Sequence, residues 1–375
     1  MATRAAGGTT AFHVVQDVPT PHNNALLGAL AARTDVTLEI WYTKPTHSEY
    51  GFSSDLANAI QPAAFYGTLL GSSRLLARAL THRHERWLIV AWSNPTTRLL
   101  VFLCWLTQRP FNMWFDLPDD GASGHIGRRE FARWFLRRSK SNVFCVGPQT
   151  VDFFAERGFS RDRLVNLPVV LGKNGQDSEE ALSRTEIRSK LKISDSTFLV
   201  VTGSRLTRDK GFDLLIEAVR LIPMEVRAGL KVVIVGQGEE GESLAEDITR
   251  SGLIGTVEIR PWLPEQEFRD LFIAADVVVH PARMDAYGGI SLMALAEGRP
   301  LIGTRQAGSA SDIIRDGFNG WLYDFNDTGE LSQLIQRSMQ NPEAMQALAR
   351  NMNWVRDNEG RNPDQTAARL LANLV

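Results

Sequence analysis

Short runs of branched and aromatic apolar residues recur along the chain, and between them the apolar positions fall three and four residues apart. In the first half, Ala11–Val18, Val36–Tyr42, Trp87–Trp92, Phe111–Phe115, Asn142–Val146 and Asn166–Val170 read as strands. Helices are predicted over Ala25–Arg33 and Val151–Gly158. Arg98–Leu106, RLLVFLCWL, is apolar all round and too short to cross a bilayer, which predicts a buried helix. Thr43–Ser73 shows no clear period and holds Gly51, Pro62, Gly67 and Gly71, an irregular stretch of a length that is often functional. Leu171–Glu180 is polar and reads as a linker. Beyond it, Phe198–Val201, Lys231–Val235, Val257–Trp262 and Asp276–His280 are strands of the buried, parallel kind, and a last helix starts near Thr366.

The most informative stretch is Val200–Glu217, VVTGSRLTRDKGFDLLIE. A buried strand ends at Gly203 and Ser204. Phe212, Leu215, Ile216 and Val219 then recur at helical spacing, with the helix starting at Asp209 or Gly211. The first N–H groups of a helix have no internal partner and carry partial positive charge, so a turn of this kind is an anion site. Arg205 and Lys210 flank it. Arg offers a planar fork and Lys a mobile point charge, and charge-assisted hydrogen bonds are worth roughly 1.5–3 kcal/mol each, enough together to hold a diphosphate. A solvated loop with two surface cations has the same sequence pattern.

Further along come KVVIVGQGEE, VEIRPWLP and AADVVVHPARMDAYGGISLMALAEGRPLIGT. From about Val200 to Leu331 the order of Gly203, Arg205, Leu206, Lys210, Gly211, Gly236, Gly238, Pro281, Arg283, Asp285, Tyr287, Gly288, Ala294, Ala296, Gly298 and Pro300 resembles the C-terminal domain of retaining glycosyltransferases of the GT-B fold, family 4 (glycosyl transferases group 1). Asp312 to Leu322, with Gly317 and Gly320, is similar to the family's closing motif. The resemblance implies an α/β, GT-B chain. It would comprise an acceptor-side Rossmann-like domain over 1–172, a nucleotide-sugar-binding Rossmann-like domain over 183–362, and a crossover helix over 363–375 on the first domain.

What the resemblance implies for chemistry can be set on residues. Donor contacts fall on Gly203, Ser204, Arg205, Lys210, Gly236, Gly238, Trp262, Leu263, Asp285, Ala286, Tyr287, Gly288, Gly289 and Met293. Arg205 and Lys210 would stabilise charge on the leaving diphosphate, and Asp285, in place of the family's first Glu and one methylene shorter, would position the sugar. Trp262 would stack on the base. Met293 stands where the family's second Glu holds the ribose, and a thioether accepts hydrogen bonds only weakly. Glu297, one turn on, is a candidate to replace it. On the acceptor side the candidates are His22, Asn23, Asp116 and Asp119; Asn23 and Asn24 also suit helix caps. The family's Gly-rich loop after the first strand is replaced here by DVPTPHNN.

Gly127–Ser141, GRREFARWFLRRSKS, sets six cations against Glu130 and adds Phe131, Trp134, Phe135 and Leu136. This is the pattern of a helix on an anionic membrane surface, and equally of one that packs its aromatics inward and leaves its arginines in water. The 375 residues suffice for two domains, and a 43% hydrophobic composition, net charge -2 and pI near 6.4 give no reason to expect nucleic acid. Cys104 and Cys145 lie in apolar runs and read as buried thiols. Met1–Thr10 lacks an apolar core, so the expected location is cytoplasmic, or peripheral on the inner face of the plasma membrane. The chain has no D-x-D, and neither metal nor cofactor is expected. The expected partners are a nucleoside diphosphate sugar and a saccharide or lipid-linked saccharide acceptor in exopolysaccharide or lipopolysaccharide synthesis. A small soluble natural-product acceptor, a non-catalytic nucleotide-binding protein on the same fold, and an epimerase are the rivals.

Overall fold

The apolar runs become two parallel sheets. The computed structural model describes residues 10–45, 60, 63–82, 84–90, 94–117, 133–170, 182–359 and 361–375. The chain divides into one unit of residues 1–173 with 360–375 and a second of residues 174–359. Asp119, His125, the linker and the first part of the basic stretch lie outside the described residues.

In the first unit the strands are β1 (Thr10–Gln16), β2 (Val36–Tyr42), β3 (Ala63–Phe65), β4 (Arg86–Ile89), β5 (Asn112–Phe115), β6 (Val143–Cys145) and β7 (Leu164–Asn166). They pair in the order β3-β2-β1-β4-β5-β6-β7, every pair parallel. β3 and the first residues of the helix Leu69–Thr81 fall within the stretch expected to be irregular, of which residues 46–59 and 61–62 lie outside the described residues. The helix expected from Ala25 starts at Pro21, because Thr20 accepts from the Asn23 amide and caps it. Neither asparagine is the cap. Asn23 instead gives its side-chain amide to Gln16 Oε1 at 2.9 Å. Asn94 caps the helix Pro95–Leu106. This helix is not buried all round: Leu99, Phe102 and Leu106 are 45%, 47% and 59% exposed, a stripe three and four residues apart. Its inner face, with Leu100, Val101 and Cys104, joins the core under Phe111, Met113 and Phe135. Cys104 and Cys145 are buried free thiols, and burial pushes both up to about 12. The last helix, Pro363–Ala372, packs on the helix Pro21–Ala31.

The second unit holds β8 (Phe198–Gly203), β9 (Leu230–Val235), β10 (Val257–Arg260), β11 (Val277–His280), β12 (Leu301–Thr304) and β13 (Gly320–Tyr323), in the order β10-β9-β8-β11-β12-β13, again all parallel. From β8 the chain works outward to β9 and β10, then returns to β11 on the other side. This reversal opens a crevice at the carboxyl ends of β8 and β11, where open α/β sheets bind ligands. The helix Phe212–Arg220 packs Leu215, Ile216 and Val219 onto this sheet with Val200, Val232 and Val279. No described helix is long and apolar enough to cross a membrane.

Candidate active site

The crevice is built from three turns. β8 ends at Gly203, whose Cβ, were there one, would press on Val235 O and Phe268. Residues Arg208–Lys210 form one 3-10 turn rather than the first turn of the helix; Gly211 then turns left-handed at φ 69°. Any side chain at Gly211 would collide with the Pro281 carbonyl, so this glycine lets the β8 turn lie against the loop after β11. Arg283 and Met284 give their amides to Asp209 O, and the Arg283 fork grips both carboxylate oxygens of Asp213 at 2.6 Å. Arg283 is thereby a clamp between the two turns.

Lys210 and Asp285 meet in the crevice, Nζ to Oδ2 at 3.1 Å, with Asp209 Oδ2 3.0 Å from the same nitrogen. His280, the last residue of β11, places Nε2 3.2 Å from Asp285 Oδ2, and its Nδ1 lies 2.8 Å from Ser291 Oγ. Burial alone would raise the Asp285 carboxyl, but the hydrogen bond and charge of His280, with those of Lys210, outweigh it and hold the group down at about 2. Asp285 is thus an acceptor-only carboxylate at neutral pH. Gly288, at φ 82°, leaves room for this arrangement: a Cβ there would lie 2.5 Å from the His280 ring and 2.6 Å from Asp285 Oδ2. The loop is pinned from below by Gly308 N to Asp285 O and Ser309 N to Tyr287 O.

The structure distributes the expected donor residues unevenly. Gly203, Ser204, Lys210, Asp285, Ala286, Gly288 and Gly289 cluster around the ends of β8 and β11. Arg205 is exposed, and its guanidinium has no partner among the described residues. Gly236 and Gly238 follow β9, where a Cβ would collide with the carbonyls of Ser204 and Leu206, so both serve close packing against the β8 turn. Trp262 and Leu263 follow β10, with Trp262 47% exposed. The Tyr287 side chain is buried and its hydroxyl donates to Asp312 Oδ2 at 2.6 Å, which makes it an anchor for the loop. Met293 is half-buried on the helix Gly289–Ala296. Glu297 does not stand in for it. That helix ends at Ala296, and Glu297 turns into the protein to meet Arg269 Nε at 2.7 Å. In the first unit His22 lies in the opening turn of the helix Pro21–Ala31, Asn23 bonds Gln16, and Asp116 is exposed just past β5. His280 and Ser291 are the residues that pattern reading missed. A histidine at a strand end, five residues before an acidic residue and eleven before a serine, was the available signal.

Residues 183–353 match the family model described as glycosyl transferases group 1. The chain is 27% identical over 200 residues to the lipopolysaccharide core biosynthesis glycosyltransferase LpsE of Rhizobium meliloti (strain 1021), covering 53% of this chain and 54% of the relative. It is 27% identical over 174 residues to D-inositol 3-phosphate glycosyltransferase 1 of Catenulispora acidiphila, covering 44% of this chain and 41% of the relative. The matches therefore span about half the length of these relatives. Among solved structures, Anabaena Alr3699/HepE in complex with UDP-glucose superposes with a TM-score of 0.74 over 97% of this chain and 100% of its own, at 19% identity. Likeness over nearly the whole chain gives the fold, which is GT-B.

Proposed function

We propose that this chain, a GT-B protein whose residues 183–353 form a glycosyl transferases group 1 domain, transfers a sugar from a nucleoside diphosphate sugar to a hydroxyl of a saccharide acceptor, with retention and without a metal ion. The observation that carries the reading is the joined pair of Lys210 and Asp285 at the switch point between β8 and β11. Lys210 has three donors; two serve Asp209 and Asp285, and the third is left for a phosphate oxygen. Arg205, exposed and without a partner among the described residues, adds a fork from the same turn. When the bond from the anomeric carbon to the diphosphate breaks, negative charge grows on the leaving oxygen, and fixed cations are worth most at that moment. Asp285 is ionised and pinned by His280, so it accepts hydrogen bonds from sugar hydroxyls without taking their protons. Trp262 offers a face to the base. UDP is the first nucleotide to test, since HepE is solved with UDP-glucose.

For the acceptor, a lipid-linked saccharide in lipopolysaccharide or exopolysaccharide assembly is the preferred class. LpsE is named for lipopolysaccharide core synthesis. The first unit also presents exposed Leu69, Leu70, Leu99, Phe102, Leu106 and Trp134, with cations on and after the helical turn 133–138. Exposed apolar side chains together with cations suit an anionic leaflet, where each cation contributes about 1 kcal/mol.

The test is thermal stability of the purified protein with UDP, GDP, TDP and ADP, in EDTA and in magnesium. A nucleotide at 100 times its Kd stabilises by about 2.7 kcal/mol. A shift with one nucleotide, equal in EDTA and lost in Arg205→Ala, supports the reading. A shift that needs magnesium overturns the metal-free part. No shift with any nucleotide favours the second reading, a non-catalytic member of the fold, for which Met293 and the committed Glu297 are the specific observations.

A further inference from the structure

A second cavity lies in the same unit at the other end of its sheet. It holds about 430 Å³ and opens where the chain enters β8, β11 and β12, with Phe198, Asp276 and Pro300 on its wall. The candidate active site is at the carboxyl ends of β8 and β11. A strand of six residues, about 20 Å, separates the two.

Two guanidiniums reach this cavity with donors to spare. Arg184 gives Nη2 to Asp276 Oδ1 at 2.6 Å and to Ala274 O at 3.1 Å, while its Nη1 has no acceptor among the described residues. Arg299 uses only Nε, on the Glu297 carbonyl at 2.9 Å; both its Nη atoms are without an acceptor among the described residues. Of the carboxylates nearby, Asp276 is committed. Asp276 also accepts from the Leu199 amide at 2.7 Å and from Arg188 Nη1 at 3.3 Å. Asp195, at the rim, is exposed and lies 4.0 Å from Arg188 Nε. Burial first, and then the charge of Arg184, push the Arg299 guanidinium below its ordinary range. Arg299 is half-buried, and two neighbouring guanidiniums with unused donors favour an anion between them. The opposite wall is apolar, formed by Met339, Pro342 and Met345.

The geometry points to a binding site for a small phosphate monoester, its phosphate on Arg299 and Arg184 and its carbon skeleton on Met339, Pro342 and Met345. The free donors, the paired N–H groups of Arg184 Nη1 and of both Arg299 Nη atoms, exceed what the two oxygens of a carboxylate can take. They match the three terminal oxygens of a phosphate monoester. The volume falls within the range of small-molecule sites. This site is independent of the donor reading, because it shares no residue with the β8–β11 crevice.

The experiment is calorimetric titration of the full chain with glucose 6-phosphate and with inorganic phosphate, in wild type, Arg299→Gln, Ala349→Phe and Arg205→Ala. Ala349 lines the cavity, and phenylalanine there fills it without changing charge. The expected result is binding of both ligands, the sugar phosphate more tightly, with Arg299→Gln at least tenfold weaker for both. Ala349→Phe should be at least tenfold weaker for the sugar phosphate, and Arg205→Ala within twofold of wild type. Three results overturn the assignment. One is no binding of either ligand. The second is binding that Arg299→Gln and Ala349→Phe both leave within twofold. The third is binding that Arg205→Ala abolishes, which would move the phosphate to the crevice.

Discussion

Replacing Asp285 by asparagine tests the centre of the site without removing any atom of its frame. The carboxyl is held from 3.8 down to about 2, against burial, by His280 and Lys210. A depressed carboxyl stabilises the fold wherever the unfolded group is ionised, and that contribution disappears as pH falls through the folded value. At 1.36 kcal/mol per unit, the difference from 3.8 to about 2 is about 2 kcal/mol at pH 7. By pH 3 the unfolded carboxyl is mostly protonated and the folded one is not, which removes about 1 kcal/mol. The asparagine variant should therefore be about 2 kcal/mol less stable at pH 7 and only about 1 kcal/mol less stable at pH 3. Hydrogen exchange of the Val278 and Val279 amides reads this directly, because both lie in the buried strand β11 and exchange through unfolding of the second unit. A gap that stays constant between pH 7 and pH 3 would refute the account of how Asp285 is held. An asparagine variant more stable than wild type would do so differently, by showing that repulsion between Asp285 and Asp209 exceeds what Lys210 returns.

Other outcomes follow from the same geometry. Arg205→Ala and Lys210→Ala should each weaken UDP binding by roughly 10- to 150-fold, the equivalent of one charge-assisted hydrogen bond, measured by calorimetry. Met293→Glu should tighten UDP binding by a similar factor while Glu297→Gln leaves it unchanged and lowers the melting temperature, since Glu297 is bound to Arg269; a nucleotide effect from Glu297→Gln would reverse that assignment. Gly211→Ala should destabilise by more than about 1 kcal/mol through the left-handed turn and the collision with Pro281 O, read as a lower melting temperature. Replacing Arg133, Arg137 and Arg138 by glutamate should release the protein from anionic vesicles in a sedimentation assay, and undiminished binding would place the anchor elsewhere.

Much of the second unit was legible in the sequence for a physical reason. Its strands are covered on both faces, so Phe198–Val201 and Lys231–Val235 are runs of branched residues with little room for another reading. The glycines between strand and helix marked the turns that carry Lys210 and Asp285. What escaped was set by contacts distant in sequence. β3 has three residues, too few for any period. The first turn of the helix Pro21–Ala31 was hidden because the proline in it and Thr20 ahead of it look like loop residues. The stripe of Leu99, Phe102 and Leu106 is indistinguishable by composition from the buried face beside it. Spacing of four residues suggested that Glu297 would replace Met293, but its carboxylate is taken by Arg269 from the neighbouring helix Glu265–Ala274. Lys210 reaches the His280–Asp285 pair only because β11 pairs with β8, which no local window reveals.

That pairing bears on how the protein comes into being. Lys210 and Asp285 are 75 positions apart (285 − 210), and nothing joins their turns until β11 docks beside β8; β9 and β10, which lie between them in the chain, pair on the far side of β8. Closing so long a loop is among the slower steps of folding, because its entropy is lost before any contact repays it. During synthesis the ribosome must release well over half of the second unit before the two charges can meet. A nascent chain stalled before Val277 would carry the cations of the β8 turn with no carboxylate from β11 to oppose them. Appearance of nucleotide binding should accordingly lag behind appearance of helical structure in a refolding experiment, which makes the ligand a reporter of the docking of β11.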